Sequence, residues 1–414
     1  MKTRTFLIAV AIPLILLALA LMAGFVLMWR LFSLSIVVLV VGYLWAFLGR
    51  RGLDGEVKTS AERCQVGESL GEETTIVNRS KVPKMLVRVQ EDTDFPGHNN
   101  AAAFNLPAQG SYHWRTKVTC QRRGLYSLGS LTATITDPLG IFALRRKMGK
   151  PQSILVYPAT PDLPYFQLSG GKEMANGPSH WSLTESTPNA ARVREYVSGD
   201  RLNRIHWPTT AHRGNLVVKE FDPDHTGYAS RNIFVIPDMH QGSQHGDGDG
   251  ATEEYCATIA AALIKKYIEN DKQVGLIAAA ERPYFFQPQT GNQHFWQMME
   301  ALALMKATGE EPIDHVISRE AERFGIDSTV IIVTPSVSRR IASSVRHMKR
   351  RGATVVAVLL DSITFGGTAG AANIASGLMA NGLQVYIVRH GDDLAKALDS
   401  RVPFPHLRHA GHVK

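Results

Sequence analysis

The chain has 414 residues, a formal net charge of +8 and 44% hydrophobic residues. This length allows two soluble domains and an additional anchor. Its three cysteines, Cys64, Cys120 and Cys256, are few and odd in number, which argues against a disulfide-stapled secreted fold and fits a reducing compartment. The positive charge is compatible with nucleic acid or with anionic lipid. Because the apolar residues concentrate at the N-terminus, we favour lipid and expect no nucleic-acid partner.

Two long apolar runs open the chain. Residues 6–29 carry no charge, and residues 31–49 follow directly after Arg30. About 20 apolar residues cross the hydrocarbon core of a bilayer as a helix, and one continuous helix would hold Arg30 near mid-membrane. The sequence therefore predicts two transmembrane helices, 6–29 and 31–49, which form a hairpin within residues 1–51. Trp29 and Trp45 suit the aromatic belts at the membrane surfaces.

A cleaved signal peptide is the alternative for the first run. Signal peptides have a shorter apolar region followed by a small-residue cleavage site, whereas here a second apolar run follows at once. Basic residues flank the two runs at Lys2, Arg4, Arg50 and Arg51, against Arg30 alone between them. The positive-inside rule then places both ends in the cytoplasm. We therefore predict a multi-pass protein of the cell membrane whose soluble domains face the cytoplasm.

Residues 52–165 have the pattern of a β-rich module. In residues 112–121, mostly apolar side chains alternate with polar or charged ones. A period of two is typical of a strand with one buried face. Further strand candidates, separated by turn residues, are 73–78, 85–90, 131–135 and 153–157. Short strands at this spacing predict a small antiparallel sandwich. In such a sandwich Cys64 and Cys120 could face each other, and we favour two buried free thiols.

From residue 229 to residue 400 the pattern is that of an α/β domain, and residues 401–414 form a basic tail. Short apolar runs are residues 232–236, 274–279, 329–333, 354–360 and 383–388, and helical stretches are residues 253–269, 293–306, 337–351, 373–380 and 392–399. This alternation predicts a doubly wound parallel sheet. Ligands of such sheets bind beyond the carboxyl ends of the strands. The loops after residues 236 and 333 therefore matter most.

The segment between the two domains, residues 166–228, carries the most specific pattern. Residues 192–221 read RVREYVSGDRLNRIHWPTTAHRGNLVVKEF. They resemble the signature of the domain of unknown function 58 family, and residues 122–129 and 137–146 resemble two further pieces of that family. The matching positions of greatest interest are Arg194, Tyr196, Gly199, Asp200, Arg204, His206, Trp207, Arg213, Lys219 and Glu220.

The resemblance implies a paired-helix anchor, a β-rich module and a C-terminal von Willebrand A-like domain. It also implies partnership with a MoxR-type AAA+ ATPase and other membrane proteins, and no established enzymatic activity. The chain has no G-x-x-x-x-G-K-[ST] sequence, so ATP hydrolysis is expected to belong to a partner. We predict a membrane-anchored α/β scaffold, without catalytic residues or cofactor, that takes part in assembly or maturation of envelope proteins.

The chemistry of the signature segment allows three roles. Arginines crowd near Asp200 and Glu220, and buried arginines form bidentate pairs with carboxylates, which favours a structural brace between the soluble domains. Arg, Tyr and Trp are also typical anchors of protein interfaces, so a partner-docking surface is the second hypothesis. The third is an envelope-associated hydrolase that uses Asp200 and His206, which requires both side chains to converge on an open cleft.

A metal site is a further question raised by the family resemblance. Von Willebrand A domains often hold Mg²⁺ through an Asp-x-Ser-x-Ser loop after the first strand, and Mg²⁺ requires several oxygen ligands. Here Asp238 is kept, but His240 and Gly242 replace the serines, and Pro335 replaces a later Asp. We therefore expect no integrin-like metal site and a docking surface at residues 238–242 and 334–338. A register shift that brings in Ser243 leaves a metal-dependent ligand-binding domain as the alternative.

Overall fold

The computed structural model describes residues 3–168, 192–196, 205–220, 232–326 and 328–401. The chain divides into two compact units. The first consists of Met1–Ala159 with Trp296–Met305, and the second of Thr160–Phe295 with Lys306–Lys414. The N-terminal helices and the β-rich module therefore belong to the first unit. The signature segment and most of the α/β domain belong to the second.

Two apolar helices begin the first unit, α1 (Thr3–Ala23) and α2 (Val26–Arg50). The chain breaks between them at Gly24, whose φ of +66° is a conformation that glycine adopts without strain. Arg30 lies inside α2, so the prediction of a turn at Arg30 is wrong. Among the described residues, α2 is long and apolar enough to cross a membrane, and the apolar part of α1, Leu7–Met22, is shorter. The second span stays a prediction.

The C-terminal end of α2 is fixed to the β-rich part of the same unit. Lys84 donates hydrogen bonds from Nζ to the carbonyl oxygens of Leu48 and Arg51, at 2.8 and 2.9 Å. Arg146 donates another to the carbonyl oxygen of Arg50, at 2.9 Å. The last carbonyls of a helix have no partner within the helix. These two side chains therefore complete the hydrogen bonding where α2 ends.

Short strands follow α2 and form the β-rich module. They are β1 (Leu53–Thr59), β2 (Arg63–Gln65), β3 (Ser69–Asn78), β4 (Lys84–Asp92), β5 (Ala101–Leu106), β6 (Ser111–Thr119), β7 (Gly124–Leu128), β8 (Ser130–Thr136), β9 (Ala143–Met148) and β10 (Gln152–Tyr157). Within residues 53–157 they form sheets of order β1-β3-β6, β2-β10-β7 and β5-β4-β8-β9. The pairings are antiparallel except for β2 with β10.

Two buried clusters hold these sheets together. In the first, Leu53 and Ile76 of the β1-β3-β6 sheet join Val87 and Leu131 of the four-stranded sheet. The second contains Cys120 and residues from β2, β3, β6, β7 and β10. Because side chains alternate between the faces of a strand, each sheet has an inner and an outer face. The inner faces pack against one another in these two clusters.

The signature segment forms a small element of two strands and a helix in the second unit. It consists of β11 (Arg192–Glu195), α3 (Trp207–Arg213) and β12 (Val217–Glu220). β11 and β12 pair in antiparallel fashion, and Ile205 forms a further bridge with Val218. Gly214 caps α3 with a φ of 74°, a left-handed conformation common after the last residue of a helix.

The C-terminal part of the chain is an α/β domain. Its strands are β13 (Asn232–Pro237), β14 (Gln273–Ala279), β15 (Pro283–Gln289), β16 (Ser328–Thr334), β17 (Thr354–Leu360) and β18 (Gln384–Val388). Its helices are α4 (Thr252–Glu269), α5 (Asn292–Leu304), α6 (Ile313–Glu320), α7 (Arg340–Arg350), α8 (Ala372–Ala380) and α9 (Leu394–Ala397). The strands form one sheet in the order β15-β14-β13-β16-β17-β18.

This sheet follows the predicted strands and departs from the prediction at one edge. The pairs among β14, β13, β16, β17 and β18 are parallel, and every residue of β16 is buried, as in a strand covered on both faces. β15 was not predicted, and it pairs with β14 in antiparallel fashion. Its residues include Pro283 and Pro288, and proline is tolerated at sheet edges because edge positions need no N–H donor.

Candidate functional site

Asp238 lies at the carboxyl end of the six-stranded sheet, next to the end of β16. β13 pairs with β14 on one side and with β16 on the other, so the strand order reverses at this point. Ligand sites of α/β sheets lie beyond the carboxyl ends of strands at such a reversal. Asp238 follows β13 directly, and Thr334 is the last residue of β16. The position is therefore the one at which a functional site is expected.

The Asp238 carboxylate is satisfied by three donors. Its Oδ2 accepts hydrogen bonds from Thr334 Oγ1 at 2.6 Å and from Ser243 Oγ at 3.0 Å. Its Oδ1 accepts one from the backbone N–H of His240 at 3.0 Å. Asp238 is 1% exposed, and burial raises the pKa of its carboxyl, although these hydrogen bonds act in the opposite direction. The carboxylate thus ties the loop after β13 to the end of β16.

In the loop after β13, Ser243 and not residue 240 or 242 places a hydroxyl beside the Asp238 carboxylate. His240 contributes its backbone N–H to Asp238, and Gly242 has no side-chain oxygen. Ser243 brings its hydroxyl to the carboxylate instead. Oxygens of Asp238, Ser243 and Thr334 therefore converge, and oxygen is the ligand that Mg²⁺ prefers. All three residues are buried, so the oxygens face the protein interior.

An exposed rim surrounds this buried cluster. Gln241 and Gly242 are exposed on the loop after β13, and Val337 is exposed on the loop after β16. Pro335 is buried on the same loop, and its carbonyl oxygen accepts a hydrogen bond from Ser362 Oγ at 2.7 Å. Since Ser362 follows β17, neighbouring loops support one another. The carboxyl end of the sheet, called the carboxyl edge below, thus combines a buried, hydrogen-bonded cluster with an exposed rim.

In the signature segment, His206 and Trp207 have different surroundings. His206 caps α3, because its Nδ1 accepts from the backbone N–H of Thr209 at 3.3 Å and lies 2.7 Å from the hydroxyl of Thr209. A side chain that accepts a hydrogen bond from the first turn stabilises a helix. Trp207 is 63% exposed. Tyr196 is half-buried, and its N–H donates to the carbonyl of Leu216 at 2.8 Å.

The paired strands place Arg194 opposite Val218 and Glu220 opposite Arg192. Lys219 lies opposite Val193 on the same strands, and Arg213 is the last residue of α3. The other three matching positions lie outside the described residues: Gly199, Asp200 and Arg204. The brace, docking and catalytic hypotheses for this segment therefore stay predictions.

A cluster of ionisable groups in the β-rich module is not apparent from the sequence. Glu72 on β3, Glu91 on β4 and His98 in the following loop have ligand atoms that all lie within 4.8 Å of one another. His98 Nε2 is 3.2 Å from Glu72 Oε2 and 3.0 Å from Glu91 Oε2. The available signal was Glu72, which lies on the same buried face of β3 as Leu70 and Ile76. A carboxylate among apolar positions requires a partner.

The cluster strongly perturbs its own ionisation. Burial alone would lower the pKa of His98, but hydrogen bonds and the charges of Glu72 and Glu91 outweigh it and raise the pKa to about 9. Burial raises the pKa of Glu91, but hydrogen bonds from His98, Gly129 and Asn100 outweigh this effect and hold it below its ordinary value. Both shifts follow from an opposite charge inside a poorly solvated site.

The protein is of the mixed helix-and-sheet class, with an apolar helix near its N-terminus and several sheets. Residues 192–363 match a family model described as "Protein of unknown function DUF58". The match begins at β11 and includes both loops of the carboxyl edge around Asp238. It agrees with the resemblance found in the signature segment.

One curated relative covers most of the chain. "Uncharacterized protein YeaD" of Bacillus subtilis (strain 168) is 23% identical over 344 residues, which are 81% of this chain and 82% of that protein. Among solved structures, the C-terminal domain of wzt has a TM-score of 0.22 and 8% identity, over 26% of this chain and 75% of that chain. Proximal thread matrix protein 1 from the mussel byssus has a TM-score of 0.31 and 14% identity, over 41% of this chain and 46% of that chain. With TM-scores this low, these structures support no inference about the function of this chain.

Proposed function

We propose that this protein is a membrane-anchored, non-enzymatic interaction protein that works with a MoxR-type AAA+ ATPase in assembly or maturation of envelope proteins. In this proposal two N-terminal helices form the anchor, and the soluble part faces the cytoplasm. The C-terminal part acts as a von Willebrand A-like domain. Its docking surface is the rim formed by residues 238–242 and 334–338.

Membrane anchoring is supported by the surface of α2. Of the most apolar stretch of α2, 11% is buried within the protein, whereas the core helix of a soluble protein is covered by its neighbours. Apolar side chains exposed along a helix of this length suit a bilayer. Lys84 and Arg146 bind the end of α2 to the β-rich module, and cleavage of a signal sequence would remove this contact. These features favour a retained anchor over a signal sequence.

The von Willebrand A-like assignment is supported by the order of the strands. Counted along the chain from β13, the six strands lie in the order third, second, first, fourth, fifth, sixth, with the third antiparallel at the edge. The same order is found in doubly wound α/β folds. In these folds the loops at the point of reversal form the binding surface, which is the place proposed here for docking.

The docking proposal rests on the burial and the hydrogen bonds of Asp238. Its carboxylate is buried and bonded to Thr334 and Ser243, so it shapes the two loops instead of facing a substrate. Gln241 and Val337 are exposed on the rim that these loops form. A fixed rim loses little conformational entropy when a partner binds, which favours specific association.

The test is site-specific photo-crosslinking in native membranes, with Val337 and Ile326 as a matched pair. Val337 is 36% exposed at the carboxyl edge, and Ile326 is 78% exposed just before β16, at the other end of that strand. We expect an AAA+ ATPase, identified by mass spectrometry, to crosslink from position 337 and not from position 326. Val337→Asp should reduce its recovery by about tenfold, the effect of one interface residue worth about 1.4 kcal/mol. Equal crosslinking from both positions, or no ATPase at position 337, contradicts the proposal.

A metal-dependent ligand-binding domain is the second candidate, favoured by the arrival of Ser243 beside Asp238 and Thr334. Calorimetric titration with Mg²⁺ separates the two candidates. Heat in the wild type that is lost in Asp238→Asn supports a metal-dependent domain, and its absence supports docking. A hydrolase that uses Asp200 and His206 has less support, because His206 Nδ1 already caps α3.

A further inference from the structure

Glu72, Glu91 and His98 form a ligand-like cluster that the docking proposal does not use. Glu72 comes from the β1-β3-β6 sheet and Glu91 from the four-stranded sheet, so the two facing sheets each provide one carboxylate. Both are buried, at 2% and 5% exposure, and the His98 side chain is buried as well. The cluster therefore lies inside the β-rich module, among residues that the structure describes throughout.

The distances fit a common metal ion. His98 Nε2 lies 3.2 Å from Glu72 Oε2 and 3.0 Å from Glu91 Oε2. Ligand atoms of a tetrahedral zinc ion, with bonds of about 2.0 to 2.1 Å, lie about 3.3 Å from one another. The two distances from His98 are therefore within a few tenths of an ångström of those in a coordination shell, and the two carboxylate oxygens lie within 4.8 Å of each other.

Ion pairs among the described residues do not balance the charge of the cluster. Two carboxylates carry two negative charges, and one imidazole supplies at most one positive charge. Within the described part of the chain, the ion pairs of Glu72 and Glu91 are both with His98. A buried charge without a partner is strongly unfavourable. A divalent cation, bound with a neutral imidazole, leaves the site without net charge.

A second, independent observation comes from Glu72 Oε1. This oxygen is buried and has no hydrogen-bond partner among the residues that the structure describes. The corresponding oxygen of Glu91 accepts a hydrogen bond from the N–H of Gly129 at 2.5 Å. Since buried polar atoms in proteins are nearly always satisfied, an unpartnered carboxylate oxygen beside other ligand atoms is suited to be a fourth donor. Glu72 would then bind through both oxygens.

Asn100 supports the ligands from behind. Its Nδ2 donates to Glu91 Oε2 at 2.9 Å and to Thr74 Oγ1 at 3.1 Å. Its Oδ1 in turn accepts from Trp114 Nε1 at 2.7 Å. Outer hydrogen bonds of this kind orient metal ligands and are part of the design of metal sites. The carboxylate of Glu91 is thereby held in place before an ion arrives.

We propose that Glu72, Glu91 and His98 bind a divalent transition-metal ion, with Zn²⁺ as the best match, in a closed structural site of the β-rich module. One imidazole nitrogen among carboxylate oxygens favours Zn²⁺ over Mg²⁺ and Ca²⁺, which prefer oxygen ligands. The burial of all ligands makes the site structural. It belongs to the first unit and Asp238 to the second, so this site and the docking rim succeed or fail separately.

The test measures the metal content of the full-length protein, purified in detergent without a polyhistidine tag. His406, His409 and His412 of the tail are replaced by Asn throughout, so that the tail captures no metal. We expect about one Zn²⁺ per chain in the wild-type cluster and less than about a tenth of that in Glu72→Gln and His98→Gln. The matched control is Glu73→Gln, because Glu73 is the next residue on β3 and pairs with Arg115 at the surface.

A second measurement keeps the proposal testable if a variant does not fold. Protein produced in zinc-depleted medium should have a lower Tm than zinc-replete protein, and Zn²⁺ present during production should restore it, because a structural metal adds its binding free energy to folding. Another transition metal at the same stoichiometry, lost in Glu72→Gln, also supports the site. Wild-type protein without bound metal, whose Tm is indifferent to zinc supply, overturns the proposal and leaves His98 as an imidazolium between two carboxylates.

Discussion

Lys84 offers a sharp test of how α2 is fixed to the β-rich module. Its side chain is buried, and its ammonium group donates to the carbonyl oxygens of Leu48 and Arg51. Lys84→Met keeps an unbranched side chain of similar length and removes only the donor. The perturbation therefore isolates the two hydrogen bonds at the end of the helix. We expect the first unit to lose stability.

The expected loss is about 2 kcal/mol. The carbonyl of Leu48 also accepts from the N–H of Arg51, at 3.2 Å, so it keeps a partner in the variant and contributes about 1 kcal/mol. The carbonyl of Arg51 loses its charged donor, at a cost of about 2 kcal/mol. Burial lowers the pKa of Lys84, with a smaller effect from the charge of Arg146, so removing the ammonium group also removes a desolvation cost. This relief offsets about 1 kcal/mol of the total.

The assay is thermal unfolding in detergent, followed by tryptophan fluorescence and near-UV circular dichroism. A loss of about 2 kcal/mol lowers the Tm of a unit of this size by about 4 to 8 °C. The matched control is Lys117→Met, since Lys117 is exposed on β6 of the same module, and exposed substitutions change stability by about 0.5 kcal/mol or less. Equal Tm values for the two variants would refute the structural role of Lys84.

Two further predictions concern the cysteines and Asp238. The Sγ atoms of Cys64 and Cys120 lie 2.8 Å apart. If the soluble part faces the cytoplasm, alkylation in denatured cell lysates will label both cysteines as thiols, with Cys256 as internal reference. A Cys64–Cys120 disulfide would instead place the soluble part in an oxidising compartment. Burial raises the pKa of Asp238 above its ordinary 3.8, so the folded protein keeps a proton that the unfolded chain has released. The wild type should therefore lose stability relative to Asp238→Asn as pH rises from 3.8 through the folded-state pKa; Tm curves that stay parallel with pH contradict this expectation.

The strands of the α/β domain were largely predictable because their signal is local. In the run 354–360, every residue after Thr354 is Val, Ala or Leu, and the structure forms β17 over the same residues. β15 and α6 were missed for local reasons too. β15 contains two prolines, which are unusual inside a strand. α6 has Ile313, Val316 and Ile317 at helical spacing, but it is only 8 residues long and also buries the polar Asp314 and Glu320, so its signal is short and mixed.

The chain break between α1 and α2 lies at Gly24 and not at the charged Arg30. Arg30 is the only charged residue between the apolar runs, and a charge between two apolar runs predicts a turn. The helix continues through Arg30, because one arginine near the start of a helix retains all backbone hydrogen bonds. Gly24 allows the break instead, since its positive φ is available to glycine at little cost.

The sequence by itself determined the apolar N-terminus, most of the strands and helices of the α/β domain, and Asp238 as a residue of the loop after its first strand. The tertiary structure alone decided which distant side chains meet. Thr334 reaches Asp238 across 96 residues, and Glu72, Glu91 and His98 meet because two sheets face each other. Periodicity along a chain records which face of an element is buried. It does not record which elements become neighbours, and that depends on the order of strands in sheets and on packing between them.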